Sequence, residues 1–297
     1  MPSEAVQTLN AELQANPFGA DWLIEEYRAS MPDAEPIPDA TVTPVNAGGV
    51  SGEWVVAEGA DPNRRMLYVH GGGYVFMSPG THRNLTSRIS QAAGIAVLSL
   101  DYRLAPEHPF LAAVEDATAA LAWIAANGPE GPGAAGATFV AGGAAGGGLA
   151  VATLLKTRDD GGRQADAAVA LSAFADMTLS GESMDAQKDN DVMVSKEVLQ
   201  RMIRETLPNG GAEDPLLSPI FADLPGLPPL SMFVGGAEVL LDDTTRLADR
   251  ARAAGVDVSV DIYPGLMHIF PLFAEMLPEG QEAIEKMAAF LAEKAPA

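Results

Sequence analysis

Thr138-Phe139-Val140-Ala141-Gly142-Gly143-Ala144-Ala145-Gly146-Gly147-Gly148-Leu149-Ala150 is the stretch on which the fold turns. An apolar β run over 137–141 meets a knot of glycine and alanine, and a helical pattern then starts near Ala145 and runs to about Lys156. This is the outline of a sharp strand-to-helix turn, G-x-S-x-G, that presents a nucleophile at its apex. The turn is so tight that the residues two before, one after and two after the apex must be small. Gly142, Ala145 and Gly146 meet that demand. At the apex, where serine should stand, the residue is Ala144. A methyl group cannot attack a carbonyl, so the stretch has the shape of a nucleophile elbow without its reacting atom.

On either side of the elbow the chain alternates between two periods. Runs with β character fall at 41–46, 53–58, 65–70, 95–100, 137–141, 167–172, 230–235 and 257–263. Helical patterns lie at about 82–93, 112–126, 145–157, 240–254 and 280–294. This alternation predicts an α/β fold with a mostly parallel eight-stranded sheet flanked by helices. Two segments stand apart. Residues 1–40 carry the helical spacings Val6, Leu9, Leu13 and Phe18, Trp22, Leu23, Tyr27, broken by Pro32, Pro36 and Pro38. Residues 178–218 form a polar loop, a helical pattern over 194–206, and Pro208-Asn209-Gly210-Gly211. An insertion between two late strands is a natural place for a lid. The expected organisation is a helical cap built from 1–40 and 178–218, over an α/β domain built from 41–177 and 219–297.

Composition narrows the function. The 297 residues include 40 acidic and 18 basic side chains, for a net charge of −22. Such a surface repels phosphate backbones and anionic lipid, so neither nucleic acid nor a stable membrane anchorage is expected. The absence of cysteine removes disulfides, thiolate chemistry and Cys-ligated metal sites together. Met1-Pro2-Ser3-Glu4 shows neither the basic nor the apolar part of a signal peptide, and a cytoplasmic protein is expected. The uncharged stretch 131–155 is long enough for a membrane span, but its glycine and alanine content fits the strand-turn-helix better.

Three further stretches carry chemistry. His70-Gly71-Gly72-Gly73 directly follows a β run, and its bare glycines leave backbone N–H groups open to a substrate oxygen, as an oxyanion hole requires. His268, in the loop after the last β run, stands downstream of both the elbow and an acidic residue, the order expected of the base in an α/β-hydrolase. Glu238 follows the preceding β run and is placed to orient that imidazole and stabilise its charged form. Asp242 and Asp243 come slightly later, at the start of a helix, where they read as caps.

Together these residues resemble the hormone-sensitive-lipase-type family of bacterial esterases, within the α/β-hydrolase fold. The resemblance spans nearly the whole chain. It rests on His70-Gly71-Gly72-Gly73-Tyr74-Val75, Thr81-His82-Arg83, the run from Asp101-Tyr102-Arg103-Leu104 to His108-Pro109-Phe110, the elbow, Leu227-Pro228-Pro229, the run from Glu238 to Asp243, and Gly265-Leu266-Met267-His268-Ile269-Phe270. It implies hydrolysis of short- to medium-chain carboxylic esters with no cofactor or metal. It assigns oxyanion donors to Gly72, Gly73 and Ala145, the base to His268 and its orienting acid to Glu238. It implies a small-molecule ester held in a pocket near Phe18, Trp22, Tyr74, Met77, Gly143, Phe174 and Leu240, and homodimerisation through the edge strand near 257–263.

The chain also departs from the family. The elbow of the family reads Gly-Asp-Ser-Ala-Gly-Gly, and here Gly143 and Ala144 replace the Asp and the Ser. Met77 stands where glycine is usual, Leu111 where proline is common, and Ala173-Phe174 where Pro-Trp is usual. Three functions fit this pattern. The chain is an ester hydrolase scaffold whose Ser-Glu-His triad has lost its serine; or it runs a non-hydrolytic lyase or isomerase proton transfer on His268, Glu238 and the oxyanion hole; or it binds a ligand on a retired hydrolase scaffold.

Overall fold

The computed structural model describes residues 2–296; Met1 and Ala297, the ends of the first and last expected segments, lie outside the described residues. Its centre is an eight-stranded sheet. The strands are β1 (Ala40–Ala47), β2 (Val50–Ala57), β3 (Asp61–Val69), β4 (Ile95–Leu100), β5 (Ala137–Gly143), β6 (Ala167–Leu171), β7 (Leu230–Gly235) and β8 (Val258–Tyr263). They run in the order β1-β2-β4-β3-β5-β6-β7-β8. β2 pairs antiparallel with both β1 and β4, and every later pairing is parallel.

Period-two alternation splits each central strand between two cores. Met66 and Tyr68 of β3, Ile95 and Val97 of β4, and Phe139 and Ala141 of β5 face one side. There they meet α3 (Arg83–Ala93) and α9 (Pro278–Lys294), which contribute Leu85, Ile89, Ile284 and Met287. Leu67, Val69, Leu98 and Val140 face the other side, against α4 (Leu111–Ile124), α5 (Ala145–Asp159) and α8 (Leu241–Ala253). A sheet covered on both faces needs near-continuous apolar strands, and β4, β5, β6 and β7 are buried at every position.

The remaining helices are α1 (Glu4–Ala15), α2 (Ile24–Ser30), the one-turn α6 (Ser183–Ala186) and α7 (Lys196–Thr206). Ser3 and Ser195 cap α1 and α7 by accepting from the N–H groups of Val6 and Val198. Arg28 on α2 reaches the sheet domain. It donates to the carbonyls of Val75 (2.8 Å) and Ala105 (2.6 Å) and forms a two-pronged pair with Glu107. The two helical segments also meet each other, where the Arg201 guanidinium stacks over Trp22 at 4.8 Å.

Asp242 and Asp243 do sit in the first turn of α8, but their carboxylates do not cap it. Asp242 accepts from Ser183 N–H, and Asp243 accepts from the N–H groups of Ala175 and Asp176, so both brace neighbouring loops. Among the described residues no helix is long and apolar enough to cross a membrane, and from residue 137 on the uncharged stretch 131–155 is divided between β5 and α5.

Candidate functional site

The elbow forms where β5 runs into α5. Ala144 holds φ 52° and ψ −119°, a region that costs a residue with a Cβ on the order of 1–3 kcal/mol. Its backbone is tied down on both sides: its N–H donates to Leu171 O, and its carbonyl accepts from Gly147 and Phe174 N–H, each at 2.9 Å. The small-residue demand is steric. A Cβ on Gly142 would lie 2.2 Å from Gly146 O, and one on Gly146 would lie 2.0 Å from Val69 O.

The loop after β7 supplies Glu238 and the loop after β8 supplies His268. Glu238 is fully buried, and its Oε1 lies 3.1 Å from His268 Nδ1. Its Oε2 accepts from Ser172 Oγ at 2.7 Å and from Gly235 N–H at 2.9 Å. Ser172 Oγ in turn accepts from Ile269 N–H at 2.9 Å, so one hydroxyl joins the acid to the histidine loop. Burial disfavours a charged His268, but the charge and hydrogen bond of Glu238, with Asp191 beyond, outweigh it and hold the pKa above the ordinary histidine value. With Nδ1 turned to Glu238, Nε2 is the ring nitrogen left for the cavity.

The glycine loop after β3 closes the other side. Gly72 and Gly73 hold φ 97° and 63°, and their N–H groups meet no backbone acceptor among the described residues. Ala145 opens α5, so its N–H belongs to the unpaired first turn. The loop is shored from beneath. His70 pairs through Nδ1 with Gly71 O, and its ring stacks on Tyr102 at 4.3 Å. Burial pushes the pKa of His70 down to about 3 and that of His82 to about 4, so both are neutral struts.

Ala144, Ala145, Gly72, Gly73, His268, Phe18, Met77, Phe174 and Leu240 line one cavity of about 260 Å³. Three other residues expected in its wall stand behind it. Trp22 packs edge-on against Phe76 (4.5 Å), with its outer face under Arg201. The Tyr74 hydroxyl points at α5, 3.6 Å from where a Cβ on Gly148 would be. Gly143 lies beneath the apex, and the place of its missing side chain is taken by Ile269 Cδ1. Both helical segments line this cavity: Leu13, Phe18, Tyr27 and Met31 from the first and 192–194, Val198, Leu199 and Met202 from the second share the wall.

Sequence reasoning missed Ser172, Tyr68 and Asp191. Ser172 carried one readable signal, its place at the end of a β run beside the elbow. Its φ of 46° turns it inward. Tyr68 is fully buried, its hydroxyl has no hydrogen-bond partner among the described residues, and it lies 3.4 Å from where a Cβ on Gly143 would stand.

A family model for the alpha/beta hydrolase fold matches residues 66–272. An acetyl-hydrolase of Streptomyces hygroscopicus is 42% identical over 247 residues, 83% of this chain and 81% of that protein. A crystal structure of EstE5 soaked with p-nitrophenyl butyrate superposes with a TM-score of 0.93 at 37% identity, over 99% of this chain and 100% of that one. An esterase from the bacterial hormone-sensitive lipase family superposes with a TM-score of 0.91 at 38% identity, over 100% of both chains. The geometry around the elbow and these similarities agree, and the chain belongs to the hormone-sensitive-lipase-type carboxylesterases of the α/β-hydrolase fold.

Proposed function

We propose that this chain is a carboxylic ester hydrolase scaffold for short- to medium-chain esters that binds its substrate but hydrolyses it negligibly. The carrying observation is Ala144, held in the strained apex conformation, sharing one cavity with His268 and the oxyanion glycines and offering only a methyl group. Under this reading Gly72, Gly73 and Ala145 donate to the carbonyl oxygen, His268 is the base and Glu238 orients it. Residues 1–40 and 178–218 act as one cap, and the open edge of β8 is the homodimer surface. The cavity wall is mostly apolar and, among the described residues, carries no Lys or Arg, which suits an uncharged acyl chain. Without a nucleophile no acyl-enzyme forms. Oxyanion stabilisation and binding alone leave about 10³–10⁴-fold catalysis over water in serine proteases.

The orphaned Tyr68 hydroxyl supports the same reading. It faces the position where the family has aspartate, so a carboxylate restored at 143 finds a donor within reach once the Ile269 side chain moves aside. The test is p-nitrophenyl butyrate hydrolysis. The chain itself is expected to show negligible turnover, Gly143→Asp with Ala144→Ser to restore it, and His268→Ala in that background to abolish it. A double variant that binds ester and stays inert would contradict the proposal.

A second reading draws on the intact His268–Glu238 pair, whose raised basicity suits proton abstraction beside a carbonyl. Turnover of a non-ester carbonyl compound that disappears in His268→Ala would favour it.

A further inference from the structure

Asp191 lies in the loop between α6 and α7, immediately before the 192–194 run that lines the cavity. Its Oδ1 accepts from the N–H groups of Met193 and Val194, both at 2.9 Å. Its Oδ2 crosses to the sheet domain and accepts from Val239 N–H at 2.9 Å. Val239 is fully buried and directly follows Glu238. One carboxylate therefore clamps a turn of the cavity wall onto the loop that carries the acid. Burial outweighs the other influences and holds the Asp191 pKa above the ordinary aspartate value, and the three backbone donors offset that desolvation in part. The Asp191 carboxylate is also near enough to His268 for the two charges to favour each other. Burial raises the Asp191 pKa while the His268 charge lowers it, and Asp191 in turn favours the charged imidazole, as reciprocal coupling requires.

We propose that Asp191 is a positioning residue coupling closure of the cavity wall to the His268–Glu238 pair. With the 191–194 turn docked on Val239, a second carboxylate joins Glu238 in stabilising the imidazolium. With the turn lifted, that carboxylate is withdrawn and the base weakens, so the site is fully basic only when its wall is in place. The proposal rests on the reading of His268 as the base, yet it is tested without any turnover. The other titratable side chains on the cavity wall are His82 and Tyr27. Burial holds the first down at about 4 and raises the second, so neither changes charge while His268 titrates.

The experiment is NMR titration of ring-labelled histidines in the intact chain, with the four histidines assigned by single His→Gln variants. Asp191→Asn removes the charge. Asp191→Ser also removes it while its hydroxyl can still accept from Met193 or Val194 N–H, so it serves if the first variant does not fold. The expected result is a His268 midpoint lower by about half a pH unit or more in a folded uncharged variant, with most of the drop recovered in Asp191→Glu. A His268 midpoint unchanged in a folded Asn or Ser variant would overturn the proposal, whatever the esterase test shows.

Discussion

Ala144 and Met77 are both held at positive φ, 52° and 67°, where a Cβ is disfavoured. At Ala144 the elbow imposes that conformation. At Met77 the strain puts a thioether into the cavity wall at a position where the family has glycine. Met77→Gly should therefore do two things together. Relief of the left-handed conformation, about 1 kcal/mol, should offset much of the packing lost with the thioether, so that the variant costs less than a typical large-to-small change, measured by urea unfolding. Loss of the side chain should enlarge the cavity and extend the ester chain length bound, measured by competition with esters of graded length. A variant that lost as much stability as such a change usually costs and bound only the same esters would show that the thioether contributes packing alone. At this scale the sequence was only partly legible. Glu238 and His268 could be placed by order along the chain, because each follows a strand. Trp22, Tyr74 and Gly143 could not be sided, because which way a side chain faces depends on neighbours distant in sequence: Phe76 and Arg201 for Trp22, and α5 for Tyr74. Asp191 was unreadable for the same reason, since its partner Val239 is contributed by another loop.

Among the elements, the strands were the most legible, since a sheet buried on both faces demands long apolar runs. All eight expected strands are present. Helix α7 begins at Lys196 rather than Val194, where the Ser195 cap sets the start. Helix α2 is the short element with a specific tether. None of its residues is fully buried, and Arg28 binds it to the Val75 and Ala105 carbonyls and to Glu107. Arg28→Ala should free that segment while leaving the sheet untouched. The expected outcome is faster amide exchange confined to about residues 18–31, with protection unchanged in β3 to β7. Uniformly unchanged exchange would show that aromatic packing of Phe18, Trp22 and Tyr27 on Phe76 suffices.

For the whole molecule, buried histidines tie stability to pH. His82 is neutral when folded, with its pKa pushed down to about 4, whereas an unfolded chain takes up that proton near 6.5. Its contribution is therefore full above about pH 6.5 and is lost as pH falls towards the folded value. His70 behaves alike. His268 runs the other way: its folded pKa is raised, so its contribution is present below about 6.5 and is lost as pH rises through the folded value. The difference between variants isolates one group. His82→Gln should flatten the fall in unfolding free energy between pH 6 and 5 by about 1 kcal/mol per pH unit, the slope of one proton. An identical slope in the two proteins would mean that His82 is already charged in the folded state.

Under the proposed function, the base, its orienting acid and the oxyanion donors surround an apex that carries only a methyl group. The most direct measurement is rapid mixing of p-nitrophenyl butyrate with the chain and with its Gly143→Asp/Ala144→Ser variant. The account predicts no burst from the chain and, from the variant, a burst of p-nitrophenolate approaching one equivalent of protein as the introduced serine is acylated. A burst from the unaltered chain, or neither burst nor steady turnover from a folded variant that binds the ester, would contradict it.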